Sequence, residues 1–324
     1  METAGQMQKK YKVLITGSSG MLGIDLCQEL GKDFELCGVD IADRAGLTGK
    51  RPIRQACFYE CNISYKHGIA RIVRETMCDI VIHTAAWTNV DGCELDRKKA
   101  FAINSAGAKN VAYACKISDV PLIYISTDFV FDGKKKRPYK ETDSTHPLSV
   151  YGESKLAGED AVRKVLKKHF IVRTSWLYGR HGKNFVDTII EKAGTVDCLR
   201  VVEDQVGSPT YTKDLAKAIH LLLDKAFETQ VVSRKSQDTR AQVKGYGIYH
   251  VSNSGATSWY RYTKEILRVA ASRTKVIPIS SKELSRPAKR PAMSVMDNSK
   301  FERFTGCSMP NWKNALKRYL LKDR

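Results

Sequence analysis

Three glycines between a predicted strand and a predicted helix constrain the fold of this 324-residue chain more than any other feature. The run Tyr11–Thr16 is short, mostly apolar and rich in β-branched residues, which is typical of a buried strand. Gly17, Gly20 and Gly23 follow it and lead into an amphipathic helical pattern. Glycines allow a tight turn and a close approach to a pyrophosphate, which the positive end of a helix attracts. The sequence therefore predicts a dinucleotide-binding turn.

A carboxylate follows the second predicted strand, Phe34–Val39, at Asp40. At this distance from the glycines a carboxylate can bind the 2′-hydroxyl of a ribose and would repel a 2′-phosphate, which favours NADH over NADPH. Arg44 lies close enough in sequence to oppose that preference. The choice between the two cofactors therefore stays open.

Strands and helices alternate along the first half of the chain, an order typical of a parallel sheet with right-handed crossovers. We expect an α/β fold with a doubly wound parallel (Rossmann-type) sheet in a dinucleotide-binding domain, residues 1–175. A smaller substrate domain follows in residues 176–324, with some segments returning to the first. Further predicted strands are residues 79–84, 121–126, 170–174, 198–202 and 248–251, and predicted helices are residues 66–76, 96–116, 150–168, 212–226 and 258–271, with an exposed loop at 234–247.

The net charge of +19 is unevenly distributed. Residues 1–150 contain 21 basic and 18 acidic side chains, whereas residues 151–324 contain 33 and 17. A basic surface attracts nucleic acid, an anionic membrane or a diphosphate-bearing small molecule, and composition does not choose among them. No apolar run approaches the ~18 residues of a membrane span. No basic surface interleaved with aromatic residues stands out, so neither nucleic acid nor membrane is expected as a partner.

The cysteines point to a reducing compartment. Nine of them are spread from Cys27 to Cys307 without a C-x-x-C motif, which argues against a disulfide framework and against a zinc site. The polar segment Met1–Lys12 resembles neither a signal peptide nor an anchor. We therefore expect reduced thiols, no bound metal and a cytoplasmic location.

A tyrosine and a lysine form the second candidate site. Tyr151 and Lys155 lie four residues apart on a predicted helix and share a face, although such pairs also arise by chance. An adjacent ammonium group is expected to lower the pKa of Tyr151 from about 10, so that the phenol serves as a general acid. Ser126 and Thr127 follow a predicted strand at the edge where α/β sheets bind ligands. A hydroxyl there can hold the carbonyl oxygen that the tyrosine protonates.

Two aromatic residues are assigned more cautious roles. His83 lies on a predicted buried strand and is interpreted as a core histidine. For Trp87 a core role and a site role are equally supported.

The glycine turn, the Y-x-x-x-K pair and the Ser/Thr at the strand end together resemble the extended short-chain dehydrogenase/reductases. Narrower segments resemble the dTDP-4-dehydrorhamnose reductase family, in collinear order from about residue 11 to about residue 320. These segments are Ile125–Gly133, Val150–Glu159, Arg173–Tyr178, Thr84–Asp91, Asp204–Thr210 and Arg290–Ser294.

The resemblance implies a role for individual residues. Tyr151 is implied as the proton donor, Lys155 as the residue that binds the nicotinamide ribose, and Thr127 as the third catalytic residue. Asn62 departs from the pattern, because relatives often have Asp at the adenine edge. The implied cofactor-binding residues are Gly17, Gly20, Met21, Leu22, Gly23, Asp40, Asn62, Ala85, Ala86 and Lys155, and the implied substrate-binding residues are Thr127, Asp128, Trp176 and Arg290.

The activity implied by the resemblance is reduction of the C4 ketone of dTDP-4-dehydro-L-rhamnose to dTDP-L-rhamnose with NADPH or NADH, in cell-surface polysaccharide biosynthesis. Two alternatives are a reductase or epimerase of another nucleotide-linked 4-keto sugar and a non-catalytic regulatory subunit. The nucleotide sugar is the expected partner. The sequence leaves open whether the chain forms a homodimer and whether an interface holds a metal.

Overall fold

A seven-stranded parallel sheet forms the centre of the protein, whose computed structural model describes residues 11–42, 57–235 and 245–321. The strands are β1 (Lys12–Thr16), β2 (Glu35–Asp40), β3 (Cys57–Glu60), β4 (Ile80–His83), β5 (Leu122–Thr127), β6 (His169–Thr174), β7 (Leu177–Tyr178), β8 (Cys198–Val202), β9 (Val206–Gly207), β10 (Thr210–Tyr211), β11 (Gly247–His250), β12 (Thr257–Ser258) and β13 (Lys275–Ile279).

Twelve helices lie in the described residues, of which some cover the two faces of this sheet and others belong to the second part of the chain. They are α1 (Met21–Leu30), α2 (Lys66–Thr76), α3 (Val90–Leu95), α4 (Arg97–Phe101), α5 (Ala108–Ile117), α6 (Val150–Val165), α7 (Phe185–Ala193), α8 (Thr212–Lys235), α9 (Trp259–Val269), α10 (Ser281–Leu284), α11 (Ser299–Thr305) and α12 (Trp312–Leu321), together with a π-helical segment, Ala102–Gly107, and a 3₁₀ turn, Asp128–Val130.

The strand order of the central sheet is β3-β2-β1-β4-β5-β6-β11, with all neighbours parallel. The chain first moves outward from β1 in one direction and then returns to continue from β4 in the other. Ligands bind at the carboxyl ends of the strands where the order reverses. The predicted doubly wound parallel sheet is therefore confirmed, and it places a crevice beside the ends of β1 and β4.

Alternate residues of β1 enter two separate cores. Val13 and Ile15 pack with Leu26 of α1 and Leu222 of α8 on one face of the sheet. Leu14 packs on the other face, with residues of α2, α5 and α6. Because both faces are covered by helices, the strand is a continuous apolar run and not an alternating one.

A third core lies in the second part of the chain. It joins β7 and β8 to α7, α9 and α12 through residues such as Tyr178, Leu199 and Leu316. Two elements of the same part belong elsewhere, since β11 pairs with β6 in the central sheet and α8 packs beside α1. The boundary between residues 175 and 176 stays a prediction.

The sequence located most elements but not all. The predicted helix at residues 66–76 and the strand at 198–202 have the bounds predicted for them. The long helix predicted at residues 96–116 is present as a continuous helical run over residues 97–117, but the π-helical segment between α4 and α5 was not predicted. Helix α8 continues nine residues past the predicted end at 226, to Lys235. Much of the predicted loop at 234–247, like Arg44, lies outside the described residues.

One expectation about the cysteines is also wrong. Cys37 of β2 and Cys57 of β3 are directly opposite in the parallel register and form a disulfide. The remaining seven cysteines are free thiols, as expected. Spacing alone did not indicate the pair, because β3 was not predicted as a strand.

None of the helices within residues 11–42, 57–235 and 245–321 is both long enough and apolar enough to cross a membrane.

Candidate active site

The glycine turn after β1 is shaped by a close approach of two backbones. Gly17 has a φ of +73°, and a Cβ atom there would lie 2.6 Å from the backbone nitrogen of Ala85. A Cβ atom on Gly23 would overlap the carbonyl oxygen of Gly17. Both positions therefore require glycine, and the loops after β1 and β4 meet at the sheet edge where a dinucleotide is expected.

Helix α1 begins at this turn with its N-terminus open. Gly20 is the N-cap residue and supplies no side-chain cap to the first helical N–H groups. The predicted residues Met21 and Leu22 form the first turn, with Leu22 buried against the sheet. Uncapped N–H groups and the positive end of the helix dipole suit a pyrophosphate. The residues present therefore fit a bound dinucleotide.

Asp40 connects the end of β2 to the glycine turn. Its carboxylate accepts hydrogen bonds from the backbone N–H of Ser19 (3.0 Å) and of Ile41 (2.8 Å). The side chain is thus fixed at the rim of the crevice, where a ribose hydroxyl can reach it. Asn62 follows β3 and is exposed, and its side-chain oxygen accepts from the N–H of Ser64 (2.9 Å).

Thr127 and Tyr151 are brought together by the start of α6. Ser149 caps this helix by accepting from the N–H of Gly152 (3.3 Å). A Cβ atom on Gly152 would overlap the carbonyl oxygen of Phe129, so the glycine lets the helix begin directly against the segment after β5. Tyr151 is buried there and hydrogen-bonds the Thr127 side chain.

The expected effect of Lys155 on Tyr151 is wrong for the ligand-free protein. Burial raises the pKa of Tyr151 well above its ordinary value, and the hydrogen bond from Thr127 opposes this shift only in part. The Lys155 amine donates to the carbonyl oxygen of Ile125 (2.7 Å) and lies 4.2 Å from the centre of the Tyr124 ring. Burial lowers the pKa of Lys155 to about 7. Tyr151 is therefore fully protonated at neutral pH, as a proton donor must be.

A buried ion pair lies behind Lys155, one helical turn along α6. Glu159 accepts two hydrogen bonds from Arg173 of β6 (2.9 and 2.6 Å) and one from Ser126 of β5 (2.5 Å). Both charged side chains are almost completely inaccessible to solvent. Sequence reasoning missed this pair, and the only signal was the occurrence of both residues in the family-like segments.

Asn104 is a second residue that the sequence analysis missed. It lies in the π-helical segment, where its side chain hydrogen-bonds the backbone N–H (2.8 Å) and carbonyl (3.1 Å) of Trp87. Its amide also donates to Ser154 of α6 (3.0 Å). Asn104 therefore connects the loop after β4 to the helix of Tyr151. Trp87 is partly buried and packs against a small apolar cluster, which consists of Cys93, Ala100, Val150 and Tyr151.

Arg290 forms an ion pair with a residue of the same chain at the rim of the site. Its guanidinium binds the carboxylate of Asp91 (2.9 Å), which Arg286 also approaches (3.6 Å). Asp91 belongs to α3, whose Glu94 accepts a hydrogen bond from the N–H of Val150 (3.0 Å). The implied role of Arg290 in substrate binding remains a prediction.

Trp176 has an unusual backbone conformation, and its ring stacks on another residue of the same chain. Its φ of +48° is in the left-handed region, and its ring stacks on Trp259 with 3.5 Å between ring centres. Its expected packing on a sugar stays a prediction. His83 is a core histidine, as interpreted. It is bonded to Thr16 (2.6 Å), and burial lowers its pKa to about 3.

The part of the chain that the structure describes contains no group of three or more His, Cys, Asp and Glu side chains that could hold a metal ion.

Comparisons with known proteins identify the family. A family profile described as the RmlD substrate binding domain matches residues 11–324. The chain is 37% identical over 309 residues to the spore coat polysaccharide biosynthesis protein SpsK of Bacillus subtilis, with 95% of this chain and 96% of that protein covered. It is 36% identical over 311 residues to a dTDP-4-dehydrorhamnose reductase of Sinorhizobium fredii, with 95% and 96% covered.

A solved structure is similar over the same length. The dTDP-4-dehydrorhamnose reductase of Bacillus anthracis, crystallised in complex with NADP, has a TM-score of 0.82 and 36% sequence identity, with 97% of this chain and 100% of that chain covered. The resemblance noted in the sequence is thereby confirmed. The chain belongs to the dTDP-4-dehydrorhamnose reductase family.

Proposed function

We propose that this protein reduces the C4 ketone of dTDP-4-dehydro-L-rhamnose to give dTDP-L-rhamnose, using NADPH or NADH. The observation that supports it most is the meeting of Thr127 and Tyr151 beside Lys155, at the carboxyl edge of the sheet. The relative from Sinorhizobium fredii bears the name of this activity. A cytoplasmic location, predicted from the sequence, belongs to the same proposal.

In the proposed reaction the cofactor is the source of the hydride, and the side chains supply the proton and hold the reactants. The reduced nicotinamide supplies the hydride to the carbonyl carbon. Tyr151 gives its phenolic proton to the carbonyl oxygen, and Thr127 holds that oxygen with a hydrogen bond. Lys155 binds the ribose beside the nicotinamide. Positioning of the reactants and stabilisation of the developing negative charge provide most of the lowering of the barrier.

Two observations bear on the cofactor. Asp40 at the end of β2 favours a free 2′-hydroxyl and hence NADH. The relative from Bacillus anthracis was crystallised with NADP. We therefore propose that both cofactors are used and that their ratio is a property to be measured.

The test is loss of absorbance at the reduced nicotinamide band, with the sugar substrate generated in situ and the two cofactors compared. Sugar-dependent oxidation supports the reductase. If folded protein that binds dinucleotide oxidises neither cofactor, the proposal is contradicted in favour of another 4-keto sugar or of a regulatory role.

The variant Tyr151→Phe tests the proton donor. We expect kcat to fall by about 10²–10⁴-fold, because the general acid is removed, while the affinity for the cofactor is kept. Tyr65→Phe serves as the control, since Tyr65 is 63% exposed. Unchanged turnover in Tyr151→Phe would exclude Tyr151 from the mechanism.

A further inference from the structure

Asp128 is a buried carboxyl group with one oxygen that has no partner. It follows β5 directly and is 1% exposed. Its Oδ1 accepts a hydrogen bond from the Thr127 hydroxyl (3.1 Å). The Ser294 hydroxyl approaches from the segment after Arg290, but no described donor makes a hydrogen bond to Oδ2. An ionised carboxylate in this position would be poorly solvated.

The hydroxyl of Thr127 has only one proton to share. Its oxygen accepts a hydrogen bond from the backbone N–H of Phe129 (3.2 Å), and its proton points to Asp128. A hydroxyl offers one donor and two acceptor positions. While Asp128 is ionised, its carboxylate therefore competes for this proton with Tyr151 and with a substrate oxygen.

A proton on Asp128 reverses this bond. The carboxylic acid then donates from Oδ1 to Thr127, which accepts from Asp128 and from Phe129 and is free to donate its own proton. Every donor and acceptor position of the Thr127 hydroxyl is then filled when a carbonyl oxygen is bound. This arrangement is the one that stabilises negative charge developing on that oxygen.

The surroundings favour the protonated form. Burial raises the pKa of Asp128 to about 7, against weaker lowering by the Ser294 and Thr127 hydroxyls and by the backbone N–H groups of Asp128 and Phe129. The charged groups on the neighbouring elements already have partners, Arg290 with Asp91 and Arg173 with Glu159, while the Lys155 amine is bonded to Ile125. Tyr151 and Cys93 also face this region, and burial keeps both protonated.

We propose that Asp128 is a positioning residue that keeps a proton throughout the reaction and thereby directs the Thr127 hydroxyl toward the substrate carbonyl. Asp128 transfers no proton to product, since the hydride and the Tyr151 proton account for both added hydrogens. The proposal rests on the proposed function. It predicts that the rate falls as pH rises through the pKa of Asp128.

The first test compares pH profiles of kcat for the wild type and Asp128→Asn. The asparagine amide also donates to Thr127 but does not titrate. In the wild type kcat is expected to fall about tenfold per pH unit on the alkaline side of Asp128's titration, and in Asp128→Asn this fall is absent. Asp160→Asn, on the exposed side of α6, is the matched control and keeps the fall.

A second measurement does not depend on turnover. Infrared difference spectra between wild type and Asp128→Asn are expected to show the C=O stretch of a protonated carboxylic acid at about pH 6, lost by about pH 8. An alkaline fall with the same midpoint and slope in the wild type and in Asp128→Asn overturns the proposal, because the fall then comes from Lys155 alone. Absence of the infrared band overturns it as well. Absence of sugar-dependent oxidation by the wild type at every pH contradicts the proposed function instead, and the infrared titration then decides the protonation of Asp128 by itself.

Discussion

Two buried carboxyl groups lie at either side of the end of β5, and their surroundings differ completely. Glu159 is enclosed by Arg173 and Ser126, so its charge is neutralised and both of its oxygens are bonded. Asp128 is approached by two neutral hydroxyls, those of Thr127 and Ser294, and its Oδ2 has no hydrogen-bond partner among the described residues. Burial alone therefore does not set the character of an acid. The partners determine whether it supports the fold or participates in a proton arrangement.

The largest expected effect is the loss of stability when Glu159, the carboxylate paired with Arg173, is replaced. Glu159→Ala should lower the free energy of unfolding by about 3–5 kcal/mol, because Arg173 is left buried without its counter-ion. Denaturant unfolding measures this change. Replacing both partners, as in Glu159→Leu with Arg173→Met, should recover most of the loss. A loss below about 1 kcal/mol in Glu159→Ala would show that this pair resembles an exposed one.

Asp128 should instead affect how the free energy of unfolding depends on pH. Burial raises the pKa of Asp128 to about 7 in the folded protein, above its usual value of about 3.9 in an unfolded chain. Between these pH values the folded state binds a proton that the unfolded state has released, so the free energy of unfolding falls as pH rises. One such proton contributes at most about 1.4 kcal/mol per pH unit.

Asp128→Asn should remove that contribution, while Asp160→Asn should retain it. The measurement is a series of denaturant titrations at several pH values. Identical slopes in the wild type and Asp128→Asn would mean that Asp128 is ionised in the folded protein, and the contrast with Glu159 would disappear.

A third carboxylate, at the surface, gives the smallest expected effect. Among the described residues, Asp40 is bonded to backbone N–H groups alone, and it lies at the rim of the crevice. Asp40→Ala should raise the ratio of kcat/KM for NADPH over NADH on the order of tenfold, because a hydrogen bond to the ribose and a repulsive charge are both removed. Asp33→Ala, 59% exposed in its side chain, is the control. An unmoved ratio would exclude Asp40 from the 2′ position.

The sequence predicted the parts of the site that depend on local pattern. The glycine turn could be predicted because Gly17 and Gly23 occupy positions where no side chain fits. Helix α2 could be predicted from the spacing of its apolar residues. Both therefore follow from residues that are neighbours in sequence. Asp91 and Arg290 are separated by 199 positions, and only the folded chain brings them together. The same holds for Glu159 and Arg173, which come from a helix and a strand.

The pKa of Tyr151 could not be predicted for a related reason. Four-residue spacing places Lys155 on the same face of α6, but the amine turns to the carbonyl of Ile125. Burial then dominates, and burial is a property of the whole fold.

The π-helical segment Ala102–Gly107 fixes the number of residues that the chain can have between α4 and α5. Asn104 reaches Trp87 and Ser154 from within it, and α5 follows with Val111 and Cys115 in the core. Each residue of an α-helix turns the chain by about 100°. Deleting one residue here would thus turn either the asparagine away from the site or the apolar face of α5 away from the sheet. A substitution in this segment alters one side chain. A deletion or insertion instead rotates all the helical residues that follow it relative to those that precede it.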